Sequence, residues 1–119
     1  MELNEIEKML ELARETRKQI RKAFGERVDT ITGYDYVDET SHQTFKLDFG
    51  AYDYFAIEFE YENDICEFFI VLSKEVKLSL TKEPAVYSKI IDWDSYLKGI
   101  MDEIELRIPD KFLKAKGWL

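Results

Sequence analysis

Phe55-Ala56-Ile57-Glu58-Phe59-Glu60-Tyr61-Glu62-Asn63-Asp64-Ile65-Cys66-Glu67-Phe68-Phe69-Ile70-Val71-Leu72 is the stretch that decides the fold. Phe55, Ile57, Phe59 and Tyr61 alternate with Ala56, Glu58 and Glu60. A period of two marks a strand with one face buried and one face wet. Glu62, Asn63 and Asp64 supply a turn, and the almost continuously apolar run 65–72 predicts a central strand, covered on both faces or meeting a partner on one. So short a connection joins antiparallel neighbours.

The same period extends in both directions. Phe45, Leu47 and Phe49 alternate with Lys46 and Asp48; Val76, Leu78 and Leu80 alternate with Lys77 and Ser79 beyond a turn at Ser73, Lys74 and Glu75. Residues 28–37 are weaker, with Ile31, Tyr34 and Tyr36 suited to an edge strand, and 38–44 read as a loop. The expected inward set, Phe55, Ile57, Phe59, Cys66, Phe68, Ile70, Val76, Leu78 and Leu80, is almost wholly apolar and predicts a filled core.

Outside the sheet region the period becomes 3.6. Asn4 and Glu7 have the spacing of a helix start, and Ile6, Met9, Leu10, Ala13, Ile20, Ala23 and Phe24 form a stripe that stops at Gly25. Asp92 or Asp94 can cap a second helix carried by Trp93, Tyr96, Leu97, Ile100, Met101, Ile104 and Ile108, and Pro109 suits the start of a short third helix over residues 110–116. The expectation is a single α+β domain of 119 residues: an N-terminal helix, a four- to five-stranded antiparallel meander, and one or two C-terminal helices.

Composition narrows the function classes. With 45% hydrophobic residues, five Gly and two Pro, the chain is neither disordered nor repetitive. It has no apolar run of roughly 20 residues for a membrane span and no apolar signal-peptide core near residue 1. Cys66 is the one cysteine, so no internal disulfide forms, which fits a cytoplasmic protein. The net charge is −8, and it is unevenly spread. Residues 29–67 carry eleven acids against the single base Lys46, while residues 1–27 carry six acids and seven bases. Such a field repels nucleic-acid backbone and anionic lipid and favours a basic protein partner.

Motifs for chemistry are weak. The one histidine, His42, has Ser41 and Thr44 nearby, yet a nucleophile needs its base held by a third group, and Cys66 has the apolar surroundings of a core side chain. Glu58, Glu60 and Glu62 share one strand face at roughly 6.5 to 7 Å intervals, but a glycosidase acid needs an apolar pocket and these read as a solvated row. Asp92-Trp93-Asp94 lacks the spacing of a calcium loop, and the scattered glycines make no phosphate loop. The bases of the first helix are interleaved with Glu11 and Glu15 and read as a solvated face. The expectation is no catalysis, no cofactor and no metal.

Aromatic residues set among acids remain: Tyr34, Asp35, Tyr36, Asp38 and Glu39; Tyr52, Asp53 and Tyr54; and Glu58, Glu60 and Glu62. Tyrosine is enriched at interface centres, and a surrounding acidic field steers a cationic partner. These eleven residues are the candidate partner-binding set. In size, acidity and these segments the chain resembles the small single-domain immunity proteins that bacteria pair with toxins. The resemblance is one of overall design, and it implies a tight complex with one cognate toxin, of the basic nuclease type, and no catalysis. The alternatives are a secretion-type chaperone, whose strands a middle helix would normally interrupt, and a small ligand-binding α+β domain, which would need polar residues facing inward.

Overall fold

The computed structural model describes residues 7–119. Helix α1 runs over Glu7–Phe24, followed by a 3-10 turn at Gly25–Arg27. The strands are β1 (Thr32–Glu39), β2 (His42–Ala51), β3 (Phe55–Glu62), β4 (Ile65–Val71), β5 (Lys77–Ser79) and β6 (Ala85–Val86). A second 3-10 turn at Tyr87–Lys89 leads to α2 (Trp93–Glu105) and α3 (Asp110–Lys116). The expected α+β architecture is the one found. The proposed start of α1 at Asn4, and Ile6 in its stripe, lie outside the described residues.

The sheet is an antiparallel meander in the order β1-β2-β3-β4-β5, with β6 pairing the start of β4. Two hairpins turn on consecutive residues of positive φ. Asn63 (47°) and Asp64 (72°) close β3 onto β4, and Tyr52 (61°) and Asp53 (51°) close β2 onto β3. Those signs match the right-handed twist of the flanking strands, and Asn and Asp tolerate them best among residues with a Cβ. Asp64 also clasps the chain beyond the sheet: its side chain accepts from the Ser88 backbone N–H at 2.9 Å and hydroxyl at 2.6 Å. Residues 38–44, expected as a loop, instead form a tight hairpin in which Glu39 pairs with His42. Polar composition hid strands whose ladder is satisfied by a neighbour.

One face of the sheet is covered. α1 buries Met9, Ala13, Thr16, Ile20 and Phe24, and α2 buries Leu97, Ile100, Met101 and Ile104. They meet the inward side chains Phe45, Leu47, Phe49, Ile57, Phe59, Tyr61, Cys66, Phe68, Ile70 and Leu80. Of the two capping candidates Asp92 is the one used, accepting from the Ser95 N–H at 3.1 Å; these hydrogen bonds from Ser95 hold its carboxyl below the ordinary range. Gly117 ends α3 in the left-handed region.

Of the two alternatives for β4, cover on both faces is not found: Cys66, Phe68 and Ile70 are buried, while Glu67, Phe69 and Val71 are half-buried on the side without helices. β5 is just three residues long, and of its expected inward set only Leu80 reaches the core; Val76 and Leu78 remain 50% and 38% exposed because they lie past the area covered by the helices. Phe55, at the start of β3, is half-buried and packs against the edge of the core.

At the other edge, β1 shifts register between Tyr34 and Val37 at a bulge where Asp35 takes φ 56°. The bulge turns Tyr36 onto the helix side, where its ring stacks on Phe45 with centroids 6.4 Å apart. Its hydroxyl lies over Gly33, 1.9 Å from where a Cβ would be. Gly33→Ala should therefore displace the Tyr36 ring and cost about 1–3 kcal/mol, as overpacking does. Urea denaturation of the variant checks this; an unchanged midpoint would mean the ring has room to move.

Candidate partner-binding face

The face of the sheet that carries no helix is the candidate site. Parity places its residues: Tyr34 and Glu39 from β1, Lys46 and Asp48 from β2, Glu58, Glu60 and Glu62 from β3, Glu67 and Phe69 from β4, Lys77 and Ser79 from β5. Asp35 joins them at the bulge, 3.6 Å from Lys46 Nζ. Acids outnumber bases strongly here. Two pairs of like charge face each other directly across strands, Asp48 opposite Glu58 and Glu60 opposite Glu67. Such pairs are destabilising by themselves.

Four groups relieve the repulsion: Tyr34, Lys77, Lys46, which stands directly across from Glu60 and favours the charged form of Asp48, and Ser79, whose hydroxyl donates to Glu67. The Tyr34 hydroxyl lies 3.1 Å from both Asp48 Oδ1 and Glu58 Oε1 and can donate to either. Lys77 Nζ lies 3.1 Å from Glu58 Oε2, contacts Glu60, and sits 4.8 Å from the centre of the Phe69 ring. Glu58 is only 8% exposed. Burial works to raise its carboxyl, but its coupling to Glu60 and the hydrogen bonds donated by Lys77 and Tyr34 outweigh that and hold it below the ordinary range. Glu60 moves the other way, raised by burial and by the neighbouring Glu58. Asp48 is also raised, first by burial, and Tyr34 is raised by burial and by the charges of Glu58 and Asp48. The Lys77 ammonium is held above its usual range, first by its hydrogen bond to Glu60.

Beside this knot the outward positions are small. Gly50 and Ala56 form the floor of a depression of about 460 Å³ bordered by Asp29, Thr32, Asp48, Glu58 and Val71. The Gly50 backbone N–H donates to Asp29 Oδ1 at 2.7 Å. A Cβ at Gly50 would lie 2.5 Å from Asp29 Oδ2, so glycine is what lets this carboxylate lie across the strand. Lysine and arginine heads fit such a geometry: carboxylates at the border, an apolar floor for the stem.

The structure brings together five of the eleven sequence candidates in one patch, Tyr34, Asp35, Glu58, Glu60 and Glu62, with Glu39 at its end beside the β1–β2 turn. The rest are elsewhere. Tyr52 is fully buried, its hydroxyl donating to Glu105 Oε2 at 2.5 Å. Tyr36 faces the helices, and Asp38 shares that side of the sheet, accepting from Gln43 Nε2 at 2.7 Å. Asp53 and Tyr54 belong to the β2–β3 turn at the opposite end, where Lys116 donates to Asp53 at 3.0 Å and the Tyr54 ring packs on Phe112. Three aromatic-acidic segments that lie near one another in sequence thus point in three directions.

Asp29, Asp48, Glu67 and Lys77 belong to the site without having been singled out. Asp48 and Lys77 alternate with apolar neighbours, so their outward parity was readable; their convergence depends on strand order and register, which one strand's period does not contain. His42 and Cys66 do not form a catalytic pair: His42 lies on the outward side, 3.6 Å from Glu62, while Cys66 is in the core, where burial pushes its thiol up to about 12. Among the described residues no group of three or more His, Cys, Asp or Glu side chains is placed to hold a metal ion, and no helix is long and apolar enough to cross a membrane. Compared with protein-family models, with curated proteins and with solved structures, the chain matches none.

Proposed function

We propose that this chain is a non-catalytic binding protein that docks a basic protein through the helix-free face of its sheet, and that it acts as an inhibitor of the immunity type, covering the cationic cleft of a toxin domain. The observation that carries the reading is the placing of Asp48 opposite Glu58 and Glu60 opposite Glu67 on an uncovered face. Like charges opposed across strands oppose folding, and the face sets only two lysines, with the Tyr34 and Ser79 hydroxyls, against its seven acids. A cationic partner completes the balance. Stored repulsion of this kind is common where stability is given up for function. The rigid ladder beneath holds the acids in place before contact, so little ordering entropy is lost on binding. Nuclease clefts suit such a surface because they are built to hold phosphate.

Charge reversal tests the reading. Glu58 is too deeply tied to Tyr34 and Lys77 to reverse safely and Asp35 holds the bulge, so the variant carries Glu39→Lys and Glu62→Lys, both exposed. Protein that co-purifies from the native host at low salt is identified, and its association rate is measured with wild type and variant. The expected partner is basic, salt releases it, and the variant associates about 10-fold or more slowly at low salt while its melting is unchanged. A partner that ignores both salt and the variant would overturn the assignment of this face.

A further inference from the structure

A second charged surface lies on the helix side and is independent of the sheet face. Arg14, Arg17, Lys18, Arg21 and Lys22 of α1 stand across a groove of about 530 Å³ from Thr30 and Ile31. Their spacing of three and four residues sets them on one side of the helix. Glu11 and Glu15, which break up the run in sequence, are drawn to Arg14 at 2.8 Å and Lys18 at 3.6 Å, and neither lines the groove. Arg21 donates to the Val28 carbonyl at 3.2 Å and the Asp29 carbonyl at 2.8 Å, which fixes the far wall.

Arg17 is half-buried, and among the described residues it forms no ion pair, although carboxylates exceed cations in this chain. Its Nη1 lies 3.4 Å from the position a Gly33 Cβ would take, and the Tyr36 hydroxyl lies 1.9 Å from that same point. Guanidinium and phenol therefore converge over Gly33. A half-buried guanidinium with no carboxylate partner among the described residues, lining an open groove beside four other cations, is suited to an anion from outside.

We propose that this groove binds a small ligand through a phosphoryl group, held by the Arg17 fork with Arg14 and Lys18 beside it. An arginine fork takes two oxygens of a carboxylate or of a phosphoryl group alike; the third oxygen and further charge of a phosphoryl group are what can also engage Arg14 and Lys18. From residue 14 to residue 22 the helix rises roughly 12 Å, room for one or two phosphoryl groups. A nucleic-acid backbone, running further, would meet the acidic remainder of the molecule.

The test is titration of the folded protein with inorganic pyrophosphate at fixed ionic strength, followed by amide chemical shifts. Saturable shifts are expected at residues 14–22 and 28–36, with an affinity of about 1 mM or tighter. Arg17→Met should weaken it about 10-fold, Arg17→Lys less, and Lys8→Met, which removes the same charge outside the groove, should leave it unchanged. If Arg17→Met fails to fold, Arg17→Lys against Lys8→Met decides. Shifts that never saturate, or equal loss in Lys8→Met, would show counter-ion condensation only and overturn the site. Tighter binding of a tetraglutamate peptide or a short single-stranded oligonucleotide than of pyrophosphate would overturn the small-ligand assignment in favour of that class.

Discussion

Tyr52→Ala should cost about 3–5 kcal/mol of folding stability, the range for deleting a large buried aromatic, and leave the acidic face untouched. The Tyr52 ring lies edge-on to Phe24 at 6.3 Å and to Trp118 at 5.5 Å, so it joins α1, the β2–β3 turn and the chain end beyond α3. Its hydroxyl satisfies Glu105 of α2. Truncation removes the link between four elements at once. Tyr52→Phe keeps the ring and should cost less, about 1.5–3 kcal/mol, the share of one hydrogen bond to a charged acceptor. Urea denaturation of both variants, read beside partner association, separates the possibilities. A well-folded Tyr52→Ala protein that has lost its partner would return this tyrosine to the interface.

Raising the pH should unfold the protein steeply from about pH 10 upward, where free phenols ionise. Burial holds Tyr52, Tyr61, Tyr87 and Tyr96 above their ordinary range, and Cys66 is pushed up to about 12. The sign follows from proton counts. In this window the unfolded chain has lost protons that the native state retains, so stability falls as pH rises, by about 1.4 kcal/mol per pH unit for each such group. Tyr52 and Cys66, fully buried, together account for a loss on the order of 5 kcal/mol by pH 12, comparable to the whole stability of many domains. Below the free pKa values this contribution is fully present. Most of the phenolate absorbance should appear together with the loss of far-UV circular dichroism; phenolate formation running to completion in an intact fold would contradict the burial of these rings.

Sequence period carried the fold a long way. Phe45, Leu47 and Phe49, and then Ile57, Phe59 and Tyr61, declared their strands because one inward side chain in two is what a half-buried ladder requires. Short hairpins then left little choice of strand order. Parity failed where local geometry reset it: the bulge at Asp35 turned Tyr36 inward, and the turn at Tyr52 and Asp53 sent one residue into the core and the next to solvent. Neither event changes composition, so both were invisible in a reading by residue type. The length of β5 was missed for another reason, since Val76 and Leu78 have the right spacing and lack only a helix above them.

The candidate site was legible by half. Glu58, Glu60 and Glu62 were on one face as their spacing required, and Tyr34 joined them. The proximity of Lys77, fifteen or more positions away in the chain, and of Asp48 came from cross-strand pairing, a long-range property. Sequence-local clustering also misled: residues 52–54 looked like an extension of the acidic aromatic surface and belong to a different end of the molecule.

The strict alternation of β3 has an evolutionary side. Because inward and outward positions interleave one by one, the outward row can drift toward a new target while every core contact stays fixed, so long as Tyr34, Glu58 and Lys77 change in concert. A slip of one position would do the opposite, driving carboxylates under the helices. The sheet is thus a chassis whose recognition code is rewritable and whose pairing frame is not.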